Sequence, residues 1–116
     1  MIKLVDIRLF ENILQDIFKL KSRPHIRVSQ SIKFDGDSCY GLYTGEPYNK
    51  RFLHKIRVSR AEINNNEQLF ATMAHEYVHA WQMENNKEVD HEIDSKFEYW
   101  VNYFNIRFNI NIIGMI

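Results

Sequence analysis

The centre of the chain reads His75-Glu76-Tyr77-Val78-His79, two histidines four residues apart with a glutamate directly after the first. On an α-helix, residues i and i+4 lie one turn apart on the same face. Two imidazoles at that spacing can therefore converge on one metal ion while the glutamate projects beside it. The chemistry this suits is hydrolysis: zinc held by three ligands polarises a carbonyl and lowers the pKa of its bound water, and a neighbouring carboxylate takes the water's proton and passes it to the leaving group. His75 and His79 are the candidate ligands and Glu76 the candidate general base.

A zinc site of this kind needs a third protein ligand, and the downstream candidates are Glu88, Asp90, His91, Glu92, Asp94 and Glu98. The elongated motif with Gly three and His six residues past the second histidine is not met, because those positions hold Gln82 and Asn85. His91 is the only other histidine after the motif. It stands just before an amphipathic stretch, where the loop Glu84 to Glu88 could swing it back over the metal, so it is preferred to a carboxylate.

These residues must be positioned by the elements around them. Leu4, Ile7, Phe10, Leu14 and Ile17 recur at steps of three and four and line one face of a first helix, which Pro24 closes. His25 to Ser29 and Lys55 to Ser59 alternate as half-buried strands. Cys39 to Tyr43 reads as a third strand, bracketed by the turn residues Asp35-Gly36-Asp37 and Thr44-Gly45-Glu46-Pro47, so a small antiparallel sheet is expected. Asn64 followed by Glu67 fits a capping box, and Phe70, Met73, Ala74, Tyr77 and Trp81 carry a second helix to Glu84. With Phe70 as the origin of a helical wheel, His75 and His79 point roughly 140° and 180° away from the apolar stripe, towards a cleft or solvent. Ile93, Phe97, Trp100, Val101 and Phe104 mark a last helix, and Ile106 to Ile112 alternates as if extended. The order is α, then β, then α-α, an α+β fold in one domain over residues 1–116.

With those elements in place, the chain resembles the SprT-like or Spartan-like metalloprotease domain. The similarity lies in Met73-Ala74-His75-Glu76-Tyr77-Val78-His79-Ala80-Trp81, in His91 followed by Phe97, Trp100 and Asn105, and in the ending Phe108-Asn109-Ile110-Asn111-Ile112. The resemblance implies a zincin-like fold, zinc on His75, His79 and His91, Glu76 as general base, and peptide-bond hydrolysis on protein substrates, including DNA-associated ones. Two departures stand out: Glu92, not Gly, follows His91, and Phe97 comes later than the family pattern places it. They keep Glu98 in play as a rival ligand. Relatives often carry a cysteine-rich nucleic-acid-binding region beyond the protease core, so any DNA targeting here is expected from the core or a partner.

Composition sets the outer bounds. In 116 residues, 45% are hydrophobic and 15 basic side chains balance 15 acidic ones, which suits a globular domain and excludes collagen-like and disordered chains. A lone Cys39 supports no internal disulfide, which makes the cytoplasm the default location, and no stretch has the unbroken apolar run of a leader or membrane span. The balance is uneven: residues 1–60 carry 12 Lys/Arg against 6 Asp/Glu, and residues 61–116 carry 3 against 9. Within the basic half, Lys50 to Arg60 is the candidate contact to DNA phosphates, with Lys55 and Arg57 in a row on one strand face. Tyr40, Tyr43, Tyr99, Tyr103 and Arg57 are candidates to stabilise an oxyanion. His25 and His54 read as surface or half-buried residues, and Trp81 and Trp100 as anchors between the later helices. The competing reading is a non-catalytic module that binds nucleic acid or protein, with zinc structural or absent. An intact Glu76 argues against it.

Overall fold

The structure is a computed structural model that describes residues 2–92 and 95–113. Helix α1 (Leu4–Phe18) buries Ile7, Leu14 and Phe18 and ends at Lys19, whose φ of 52° is left-handed. Strand β1 (His25–Ser29) follows, then a short hairpin of β2 (Lys33–Phe34) and β3 (Asp37–Ser38), then the long strands β4 (Gly41–Tyr48) and β5 (Arg51–Ser59). Two helices complete the order, α2 (Asn66–Glu84) and α3 (Phe97–Phe108). The architecture is α+β as expected, with an N-terminal helix, a small sheet, a central helix carrying the motif and a C-terminal helix.

The main sheet has the order β1-β5-β4. Its β4–β5 pair is the expected antiparallel one, whereas β1 joins β5 in parallel, with Ile26 beside Ile56 and Val28 beside Val58. The long path from β1 through the β2–β3 hairpin and back along β4 makes that parallel pairing reachable.

Thr44 to Pro47, expected as a turn, lies inside β4, and the chain reverses at Asn49-Lys50 instead, with Tyr48 opposite Arg51. Asn49 adopts the left-handed conformation at φ 55°, which asparagine tolerates. Pro47 fits because β4 is an edge strand, where a residue without an N–H breaks no ladder on its outer side.

The start of α2 is one residue later than the capping pattern suggests. Asn65 is the N-cap, its Oδ1 accepting the Gln68 N–H at 2.8 Å, while the Gln68 side chain accepts the Asn64 N–H at 2.7 Å. Helix α2 is buried around most of its circumference. Phe18 packs on Tyr77, Trp100 and Phe104, and Trp81 meets Trp100 with ring centroids 5.5 Å apart, as expected of the two tryptophans.

Helix α3 runs on to Phe108, so Ile106 is an exposed helical residue and not part of an extended tail. Asn109, at φ 56°, ends the helix, and Ile110 and Ile112 then turn inward as buried residues. Ile93 and Asp94 lie outside the described residues. No helix among the described residues is long and apolar enough to cross a membrane.

Candidate metal centre

Helix α2 brings His75 and His79 to one face, with ring centroids 4.9 Å apart. The segment after α2 returns His91 to the same place, 5.1 Å from each of the other two rings. One ligand atom from each of the three lies within 4.8 Å of the others, and the three imidazoles could hold a metal ion. Glu98 is exposed on α3 and is not part of the cluster.

Of the cleft or solvent that the wheel assigns to the histidines, open solvent needs correction. They do point away from Phe70, but they do not face open solvent: His75 is 0% and His79 7% exposed. A wheel gives a direction and says nothing of what later segments lay across it. Here Phe97 covers the cluster, its ring 4.6 to 5.9 Å from all three imidazoles, and the Ile112 carbonyl reaches His75. Only His91 is exposed, so the cluster is open on one side.

Hydrogen bonds fix which nitrogen each buried ring presents. His75 donates its Nδ1–H to the Ile112 carbonyl at 2.6 Å, which leaves the Nε2 lone pair facing His91 Nε2 at 3.1 Å. His79 donates its Nδ1–H to Gln82 Oε1 at 2.8 Å. The amide of Gln82 cannot be reversed without loss, because its Nε2 donates to the carbonyls of Asp90 and Ser95 at 2.9 and 3.1 Å. Gln82 therefore orients one imidazole and holds both flanks of the loop that carries another. Burial pushes the His75 imidazolium down to about 3, helped by the neighbouring His79, and lowers His79 as well. Neutral imidazoles with lone pairs turned inward are the donor set a transition-metal ion requires.

Glu76 is 1% exposed, and its Oε2 has no hydrogen-bond partner. Burial alone raises its carboxyl well above the usual range. The strand β4 approaches it at Gly41, where an added Cβ would sit 3.0 Å from Glu76 Oε2, 2.6 Å from Thr72 Cγ2 and 3.2 Å from the Arg57 carbonyl oxygen. Any side chain at position 41 would collide with the carboxylate's surroundings. An orphaned buried carboxyl oxygen next to three converging imidazoles fits a site that could hold a metal ion.

A second set of polar groups meets in a way the amino-acid sequence does not announce. His54, expected at or near the surface, is fully buried on β5. Its Nδ1 is 2.7 Å from the Tyr43 hydroxyl and its Nε2 is 2.7 Å from Glu84 Oε2. Glu84, the last residue of α2, also accepts the backbone N–H groups of Lys21 and Ser22 at 2.6 and 3.1 Å. Tyr43 in turn lies beside His79, ring centroids 6.3 Å apart. The contacts of Glu84 span 30 or more residues of sequence, and no local pattern announces them.

Among the other residues considered for oxyanion binding, Tyr99 is exposed on α3, Tyr103 contacts Arg107, and Arg57 lies on the sheet face opposite α2 with its Nε bonded to Ser29 Oγ at 3.0 Å. Of the segment Lys50 to Arg60, Lys55 and Arg57 share that outer face with His25 and Arg27, around a groove of roughly 340 Å³. His54 is not part of it.

A model of the SprT-like family matches residues 7–113. The chain belongs to the SprT-like family. The match takes in most of α1, every later element to α3 and all four residues of the centre, so the SprT-like chain and the histidine cluster coincide. No protein in the set of curated sequences matches it.

Proposed function

We propose that this SprT-like protein is a zinc-dependent endopeptidase. The observation that carries the reading is Glu76, buried and unpartnered at Oε2, one residue from the first of three converging histidines. His75, His79 and His91 are the residues that would hold zinc, which when bound supplies Lewis acidity towards a scissile carbonyl and an attacking water.

The remaining work falls to the chain itself. Glu76, its basicity raised by burial, accepts the proton of the attacking water and delivers it to the leaving amine. Phe97 and Ile112 keep bulk water from the buried side of the cluster, and the exposed His91 leaves the approach for substrate. The outer edge of β4 pairs with no strand among the described residues, and Gly41 brings that strand against Glu76. An extended peptide added to this edge by main-chain hydrogen bonds would run past the carboxylate.

Action on DNA-associated proteins, in the cytoplasm, extends the same reading. Its support is the outer sheet face, where parallel pairing sets His25 beside Lys55 and Arg27 beside Arg57. The like charges of Arg27 and Arg57, side by side, oppose folding and favour a polyanion. The competing binding module draws on the same face. The test is wild type against Glu76→Gln, both loaded with zinc, on casein and histones. Equal zinc content with cleavage only by wild type is expected, and equal cleavage by both would refute the assignment.

A further inference from the structure

The relay from Glu84 through His54 to Tyr43 has a direction. Glu84 accepts two backbone N–H groups, one on each carboxylate oxygen, so both oxygens act as acceptors. Its third partner, His54 Nε2, must then be a donor. In the tautomer that carries its one ring proton on Nε2, Nδ1 is a lone pair, and at 2.7 Å it accepts the Tyr43 O–H. Phe52 stacks on the His54 ring, centroids 5.8 Å apart and planes 3° from parallel, and holds it in this orientation.

The only hydrogen of the Tyr43 hydroxyl is thus spent inside the protein, and its remaining lone pairs can only accept. Tyr43 cannot donate to an oxyanion while the relay is intact. What it can bind is an N–H. Its position suits that role, since it is partly exposed, beside His79, on the same inward face of β4 as Gly41, and β4 is an edge strand whose outer side pairs with no strand among the described residues.

The strand is also cut to fit the relay. Tyr43 stands opposite Ile56, and its hydroxyl leans along the strand across Gly45 to reach His54, the cross-strand partner of Gly45. A Cβ at position 45 would fall 1.9 Å from the Tyr43 hydroxyl oxygen and 2.5 Å from Cζ. Glycine at 45 is the condition for the tyrosine's placement.

We propose that Tyr43, its hydroxyl oxygen held as an obligate acceptor by His54 and Glu84, binds a main-chain N–H of the substrate peptide beside the metal centre. This rests on the peptidase reading and names a substrate contact within it. A hydrogen bond of this kind contributes roughly 3- to 10-fold in affinity.

The test uses a casein peptide that zinc-loaded wild type cleaves, and the set of its variants methylated at one backbone nitrogen each. Affinities are measured on zinc-loaded Glu76→Gln protein, which does not turn them over. One N-methylated peptide is expected to bind roughly 3- to 10-fold more weakly than its parent. Adding Tyr43→Phe should weaken the parent by the same factor and leave that methylated peptide unaffected. Gly45→Ala provides a second route, because the group in its way is the tip of the Tyr43 side chain, which can swing aside without disturbing the backbone. It should reproduce the effect with the tyrosine still present, at unchanged zinc content. Parent affinity that survives both substitutions, or losses that add to those of every methylated peptide alike, would overturn the inference and leave the peptidase reading standing. Zinc-loaded wild type that leaves casein intact would overturn the peptidase reading, and this inference with it.

Discussion

Gln82 accepts the Nδ1 proton of His79 at 2.8 Å, and with the other end of the same amide it grips the Asp90 and Ser95 carbonyls on either side of His91. One side chain thereby sets the tautomer of one candidate ligand and the loop position of another. Replacing it with Leu should leave the fold intact and weaken zinc binding by about 10- to 100-fold, the usual effect of losing a partner behind a metal-binding histidine. Competition against a zinc-sensitive dye would measure it, and an unchanged affinity would show that Gln82 does not orient the site.

The third ligand separates by single substitutions. His91→Ala should lose most of the zinc found by elemental analysis, whereas Glu98→Ala should retain it, because Glu98 is exposed on α3 outside the cluster. The reverse pattern would transfer the assignment to the carboxylate.

Glu76 weighs against stability in the metal-free protein. Its carboxyl is raised in the folded state by burial, so the folded form binds its proton more tightly than the unfolded form does. Its contribution is therefore most favourable below the ordinary glutamate range and is lost as pH rises towards the folded value. Glu76→Gln removes the buried charge. The variant, stripped of metal, should be more stable than wild type at pH 7 by about 1 to 3 kcal/mol, the range for an unpartnered buried polar group, with the gap closing near pH 4. Urea unfolding at the two pH values would show this, and a gap that widens on acidification would contradict it.

The histidines act with the opposite sign. In the folded chain His75 is held down to about 3 by burial and by His79, against 6.5 for a free imidazole. Between those values the unfolded chain takes up a proton that the folded chain refuses, so stability falls as pH drops from 6.5 towards 3. Measured without metal in the Glu76→Gln background, which removes the opposing carboxylate, the loss should be on the order of a few kcal/mol. A flat profile over that range would mean that water reaches the ring in the folded chain.

His54→Ala should unfold more easily than any substitution on the outer sheet face. It leaves the Glu84 carboxylate and the Tyr43 hydroxyl without their partner and opens a cavity behind Phe52, a loss of about 3 kcal/mol. Chemical denaturation against Lys55→Ala as a control makes the comparison.

The motif and its helix were legible in the amino acids, because i and i+4 spacing, apolar periodicity and the cap all act within one turn or two. His91 was legible as the remaining histidine in the right stretch. What could not be read was whatever depends on a distant segment arriving. The shielding of His75 by Ile112 is such a case, as are the reach of Gln82 to Asp90 and Ser95 and the meeting of Glu84 with His54 and Lys21. The reversal near Pro47 was misplaced for a related reason. Gly and Pro mark turns in isolation, but an edge strand accepts both, and the cross-strand ladder to β5 outweighed the local preference.

With Gly41 and Gly45 on either side of Tyr43, β4 offers the helix a single side chain along the five residues that pass Glu76 and His79. A wall so bare has almost no means of telling one amino acid from another. For a peptide bound as proposed, discrimination by sequence would be weak, and choice of target would fall to whatever brings a protein within reach, such as a shared polyanion on the opposite face of the sheet.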